Sequence, residues 1–179
     1  KGLPGQTDPN IDPLEKLEGF GELQIEQAAL GIRAPLYQLN VVIPRVDLRL
    51  RVSNKRLNVG VSAWASAKGA PMSAVFDLSR ENYDGTVWVG GETIDMKDWS
   101  PLLKATGIRL NSGVGEANAW ATLENQRVTS LQTEADLKNI KIVSSNLVTL
   151  ENTKAISPDA IFDRLEVSAK WSEHKDGWQ

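Results

Sequence analysis

Period-two alternation is the feature that most narrows what this chain can fold into. Val46, Leu48, Leu50 and Val52 alternate with Asp47, Arg49 and Arg51, and a β-strand is the element that turns every second side chain to one face. The pattern returns along the chain. Leu57, Val59, Val61 and Ala63 alternate, as do Met72, Ala74, Phe76 and Leu78. Thr86-Val87-Trp88-Val89 follows an Asp84-Gly85 turn dipeptide, a common hairpin signal. Ala117, Ala119, Ala121 and Leu123 alternate with Glu116, Asn118, Trp120 and Thr122, and Asn125-Gln126 offers a turn into Leu131, Thr133, Ala135 and Leu137. Near the end, Leu165, Val167, Ala169 and Trp171 oppose Arg164, Glu166, Ser168 and Lys170. Strands that each present one apolar and one wet face imply antiparallel β.

The alternation slips phase at two places. Tyr37, Leu39, Val41 and Ile43 share a face, Pro44 interrupts, and the next run begins at Val46. That one-residue shift predicts a bulge or strand break at Pro44. Ile140 and Ile142 follow Leu137 out of phase in the same way.

Helix signals are few. Asp98 and Ser100 are cap-competent, Pro101 suits a first turn and Gly107 is a stop, so the spacing predicts one short helix near 99–105. Trp99, Leu102, Leu103 and Ile108 would point inward. A weaker helical signal covers Pro13 to Leu17, after a Pro- and Gly-containing opening that reads as a linker. Residues 1–16 are therefore a linker or weak helix, and 17–179 a single β-rich unit. Asp12-Pro13-Leu14 before Gly19-Phe20-Gly21-Glu22 echoes Ser100-Pro101-Leu102 before Gly113-Val114-Gly115-Glu116. The echo divides the chain into two candidate repeats, about 12–97 and 98–179.

Composition removes whole classes of function. The 179 residues contain no Cys and a single His, which excludes thiolate chemistry and disulfides and leaves no conventional nucleophile–His pair to build. With 23 acidic and 20 basic side chains the net charge is -3; a nucleic-acid binder needs a clustered basic excess instead. No stretch reaches the ~20 apolar residues of a membrane-spanning helix. The chain starts at Lys1 rather than Met, so it reads as an excised or processed piece, and its lack of a targeting segment says little about the parent protein.

Local candidates for chemistry have plainer readings. His174 sits in the polar stretch Glu173-His174-Lys175-Asp176-Gly177 and reads as an exposed loop residue. Asp159 and Asp163 stand at helical spacing, but they lack companion ligands and read as surface charge. Gly113-Val114-Gly115 precedes a strand and lacks the third glycine of a dinucleotide fingerprint. Trp64, Trp88, Trp99, Trp120, Trp171 and Trp178 would suit a carbohydrate-binding module if they formed an exposed platform. Scattered over separate elements, they read as core and rim residues. No catalytic residue, metal ligand or cofactor site is expected, and the chain reads as a non-enzyme.

Two folds satisfy the alternation equally. One is a closed sandwich whose two sheets bury their apolar faces on each other. The other is a curled antiparallel sheet, forming a groove or half-barrel, whose apolar face stays available to ligands.

A resemblance favours the second. Asp95-Met96-Lys97-Asp98-Trp99-Ser100-Pro101-Leu102-Leu103, then Gly113-Val114-Gly115-Glu116-Ala117-Asn118-Ala119-Trp120-Ala121, then Asp136-Leu137-Lys138-Asn139-Ile140 resembles the YhdP-like branch of the bacterial AsmA-like (AsmA/TamB/YhdP) envelope proteins. Pro44 to Leu50 and Leu165 to Trp178 look like the same family's flanking segments, so the likeness covers most of the chain after about residue 17. It implies a periplasmic segment of a long protein anchored in the bacterial inner membrane. The family's apolar groove is linked to phospholipid transport between inner and outer membranes and to the outer-membrane permeability barrier. The partners it implies are phospholipid and other segments of the same long chain.

The lining candidates are Val46, Leu48, Leu50, Val59, Val61, Phe76, Leu78, Leu165 and Val167. Each is equally readable as a closed-core residue. A structural or interaction module of the cell envelope is the alternative function, and carbohydrate binding the third.

Overall fold

A computed structural model describes residues 14–37, 39–105, 110–142, 160–174 and 177–178. One antiparallel sheet dominates it, and its spatial order follows the chain. The strands are β1 (Glu22–Ala34), β2 (Leu39–Val52), β3 (Arg56–Trp64), β4 (Met72–Ser79), β5 (Gly85–Asp95), β6 (Leu110–Glu124), β7 (Arg127–Ile142), β8 (Ala160–His174) and the short β9 (Gly177–Trp178). The sheet does not close, and among the described residues no second sheet packs on it. The alternating runs of the sequence become these strands, and Asn125-Gln126 forms the β6–β7 turn with φ of 53° and 61°, the left-handed pair that matches strand twist. The single open sheet is the expected mainly-β antiparallel fold; the alternative of a closed sandwich is not seen among the described residues.

A four-residue helix, α1 (Glu15–Glu18), precedes β1, in the region of the weak helical signal. The longer helix, α2 (Met96–Ala105), joins β5 to β6. It starts three residues before the expected 99. Asp95 rather than Asp98 or Ser100 caps it, its Oδ1 accepting the Lys97 N–H at 2.9 Å. Pro101 consequently lies in the second turn, where it cannot donate to the Lys97 carbonyl. Asp95→Ala should cost about 1 kcal/mol, read as a lowered midpoint in urea with an unchanged slope.

Met96, Trp99 and Leu102, at i, i+3 and i+6, face the sheet; Met96 and Trp99 are buried. Leu103's side chain and Ile108 lie outside the described residues, as do residues 1–13.

Two bulges explain how the sheet meets this helix. Ala28 pairs with Val46 but Leu30 with Ile43, so β2 gains a residue around Pro44. Pro44 has no N–H to lose there. Ser112 pairs with Lys141 but Val114 with Lys138, so β7 gains one at Asn139, whose φ is 54°. Each bulge turns two residues three apart to the same side: Ile43 with Val46, and Leu137 with Ile140, all buried against α2. Bulges bend strands and raise their twist. The helix touches β6 and β2 more extensively than it touches β3 or β4, which requires the sheet to curl over it. The core therefore lies at one end of one face of the sheet.

The two Gly-x-Gly-Glu segments differ in conformation. In the first, Gly21 has φ +74°. In the second, Gly113 has φ +149°, while a Cβ on Gly115 would stand 2.0 Å from the Asp136 carbonyl oxygen. Gly115 thus permits close β6–β7 contact, a packing role rather than phosphate binding.

Candidate functional site

Register decides which residues share a face. Leu23, Leu50, Val59, Phe76, Val87, Ala121, Leu131 and Trp171 are successive cross-strand partners from β1 to β8. Beside them runs a second row, Ile25, Leu48, Val61, Ala74, Val89, Ala119, Thr133 and Ala169. The only polar groups in the two rows are the Thr133 hydroxyl and the Trp171 indole N–H. Eight strands about 4.8 Å apart make each row roughly 34 Å long. That is about twice the ~15 Å spanned by the acyl chains of one bilayer leaflet.

All nine lining candidates fall on this inner face, the one α2 occupies. Leu48, Leu50, Val59, Val61, Phe76 and Leu78 lie together on β2, β3 and β4, half-buried. Val167 is exposed on β8. Val46 is buried in the cluster beneath α2, and Leu165 packs against that cluster, so these two support the helix. Sequence reasoning missed Leu23, Ile25, Val87, Leu131 and Trp171. The signal was there: each sits in an alternating run whose register to its neighbours only the paired strands reveal.

Coverage is graded along the face. Burial is fullest at the end under α2, where Ile94 and Ile140 are 0% exposed; at the far end Val52 is also buried, on the strand that α1 touches. At the edge strands Leu23, Ile25, Val167 and Trp171 are exposed. In the central strands the same face is half-buried although no second sheet lies over it among the described residues, as a sheet curling inwards requires.

The outer face is polar and laced with ion pairs. Asp47 accepts from Arg45 Nη2 at 2.8 Å and from the Gln27 N–H at 2.7 Å. Gln27 is the bulge residue of β1, with φ 56°, so Asp47 satisfies the N–H that the bulge frees. Arg45 first, then Gln27, holds the Asp47 carboxyl below the ordinary range. Asp136 is held low by the two-pronged Arg164 contact, both bonds 2.8 Å. These groups are solvated, and such pairs contribute little stability.

His174 closes β8 instead of lying in a loop, and its side chain is outside the described residues. Asp163 is exposed on a strand, so helical spacing to Asp159, itself outside the described residues, does not arise. Among the described residues no His, Asp or Glu cluster is arranged to hold a metal, and no helix is long and apolar enough to cross a membrane.

The tryptophans do not all serve the core. Trp99 is buried in α2, whereas Trp64, Trp88 and Trp120 stand on the polar outer face, Trp88 directly opposite Trp120. No protein-family model matches the sequence, and neither a curated protein nor a solved structure is significantly similar to it.

Proposed function

We propose that this chain is a non-catalytic segment that shelters phospholipid acyl chains on the inner face of its curled sheet. What supports the reading above all is the pair of apolar rows that run from β1 to β8 with no second sheet over them among the described residues. A soluble protein leaves so large an apolar surface open at a cost unless something occupies it. Dragging an acyl chain of about fifteen methylenes through water costs on the order of 12 kcal/mol, at ~0.8 kcal/mol per CH₂. A track that stays apolar across every strand lowers that barrier with no bond chemistry, and so with no catalytic residue or cofactor.

The rows meet the edge strands without a closing wall, so a chain can pass along the face as well as rest in it. Leu48, Leu50, Val59, Val61, Phe76, Leu78 and Val167 are the lining, with Val46 and Leu165 beneath and beside α2. By its resemblance, the segment belongs to a longer periplasmic protein anchored in a bacterial inner membrane. There it would serve phospholipid movement towards the outer membrane and the permeability barrier. Other segments of that chain would extend the track.

Native mass spectrometry of protein purified gently from a Gram-negative host tests this reading. A mass increment matching phospholipid, released by organic extraction and identified in the extract, is the expected result. A clean apo mass, under conditions that preserve adducts on established lipid carriers, would sink it and favour an interaction module.

A further inference from the structure

The outer face holds a second apolar feature that lipid handling does not use. Trp64 on β3 and Trp88 on β5 bound a trough of about 420 Å³, within the size range of small-molecule sites. Its floor is built of small residues, polar at Ser62 and Ser73 and apolar at Val75, which stands between Gly60 and Trp88. Ser62 and Ser73 pair across β3 and β4 with their hydroxyls 2.9 Å apart. Gly60 adds no side chain, and a Cβ built there meets no heavy atom within 4 Å, so the space above it is open.

Both indoles are held in place. Arg45 stacks over Trp64 at 4.0 Å from the ring centroid and is anchored in turn by Asp47. Trp88 donates its Nε1–H to Asn118 Oδ1 at 3.1 Å. Arg49 lines the same trough; its charge acts on Asp47 and Glu22, but no carboxylate among the described residues comes within ion-pair distance of it. Asp47, at the rim, is already occupied by Arg45 and Gln27.

Indole walls offer flat apolar faces, hydroxyls on the floor exchange hydrogen bonds, and a guanidinium with no carboxylate in direct contact among the described residues can take an anion. A pyranose ring matches this set, with C–H faces for the indoles and hydroxyls for the serines. We propose that the trough binds an acidic saccharide, whose carboxylate is taken by Arg49. The site lies on the opposite side of the sheet from the apolar rows, so it stands whether or not those rows carry lipid.

Isothermal titration with trigalacturonate, using cellotriose as the neutral comparison, tests the site. Trigalacturonate should bind, and cellotriose at least about tenfold more weakly, for want of the charge-assisted bond to Arg49. Trp88→Ala should weaken trigalacturonate by about tenfold. Gly60→Leu should abolish its binding by filling the trough. Because that position is open and its backbone ordinary, Gly60→Leu should leave the melting transition where it was. No heat with either sugar overturns the proposal. So does equal affinity for the two, or trigalacturonate binding that survives Gly60→Leu in a folded protein.

Discussion

Leu50→Asp should abolish phospholipid adducts while moving the melting transition by no more than about 4 °C, the shift of roughly 1 kcal/mol in a chain of this size. Leu50 lies between Leu23 and Val59 in one of the two apolar rows, half-buried with no second sheet above it among the described residues. A carboxylate there stays hydrated, so it escapes the penalty of an unpaired buried charge. It would, however, sit in the path of an acyl chain, where its dehydration opposes every passage. Leu48→Asp, one row closer to α2 and beside Val61, should behave alike. Adduct mass and calorimetric melting on the same preparations provide the check. If both variants lose their melting transition, the face is covered in solution and the open track is wrong. Adducts persisting in both variants would show that lipid sits elsewhere.

Trp99→Ala should have the opposite signature. It should remove about 3–5 kcal/mol and lower the melting midpoint on the order of 10 °C. The indole is 5% exposed, buried with Met96, Ile94, Ile43, Leu137 and Ile140. These residues come from β2, β5, β7 and the helix, so the indole is where distant strands are tied together. Its loss leaves a cavity that two bulged strands cannot readily collapse to fill. Denaturant unfolding measures the cost; a change below about 1 kcal/mol would mean that α2 packs on the sheet without organising it. The contrast between Leu50 and Trp99 follows from one sheet with one face. Near the helix the face is a core, and farther along it is an open surface.

This division also separates what was legible in the sequence from what was not. The strands, their apolar faces and the phase slips near Pro44 and Leu137 could be read directly. Side-chain direction alternates with every residue, and a bulge breaks that alternation within one or two positions. All nine lining candidates share a face for the same reason. The start of α2 was displaced by three residues because Asp95 and Asp98 are both cap-competent. The choice between them rests on where β5 ends, which depends on its pairing with β6.

The tryptophans show the larger gap. Trp64, Trp88 and Trp120 lie up to fifty-six positions apart in the chain, and only register brings Trp88 opposite Trp120 on the polar side.

The sequence by itself determined that this chain makes long antiparallel strands, each with one apolar face. That follows from residue type and local spacing. Tertiary structure alone decided that the face meets a helix at one end and no second sheet among the described residues. Alternation records which side of a strand is apolar; it holds no information about what, across space, comes to cover that side.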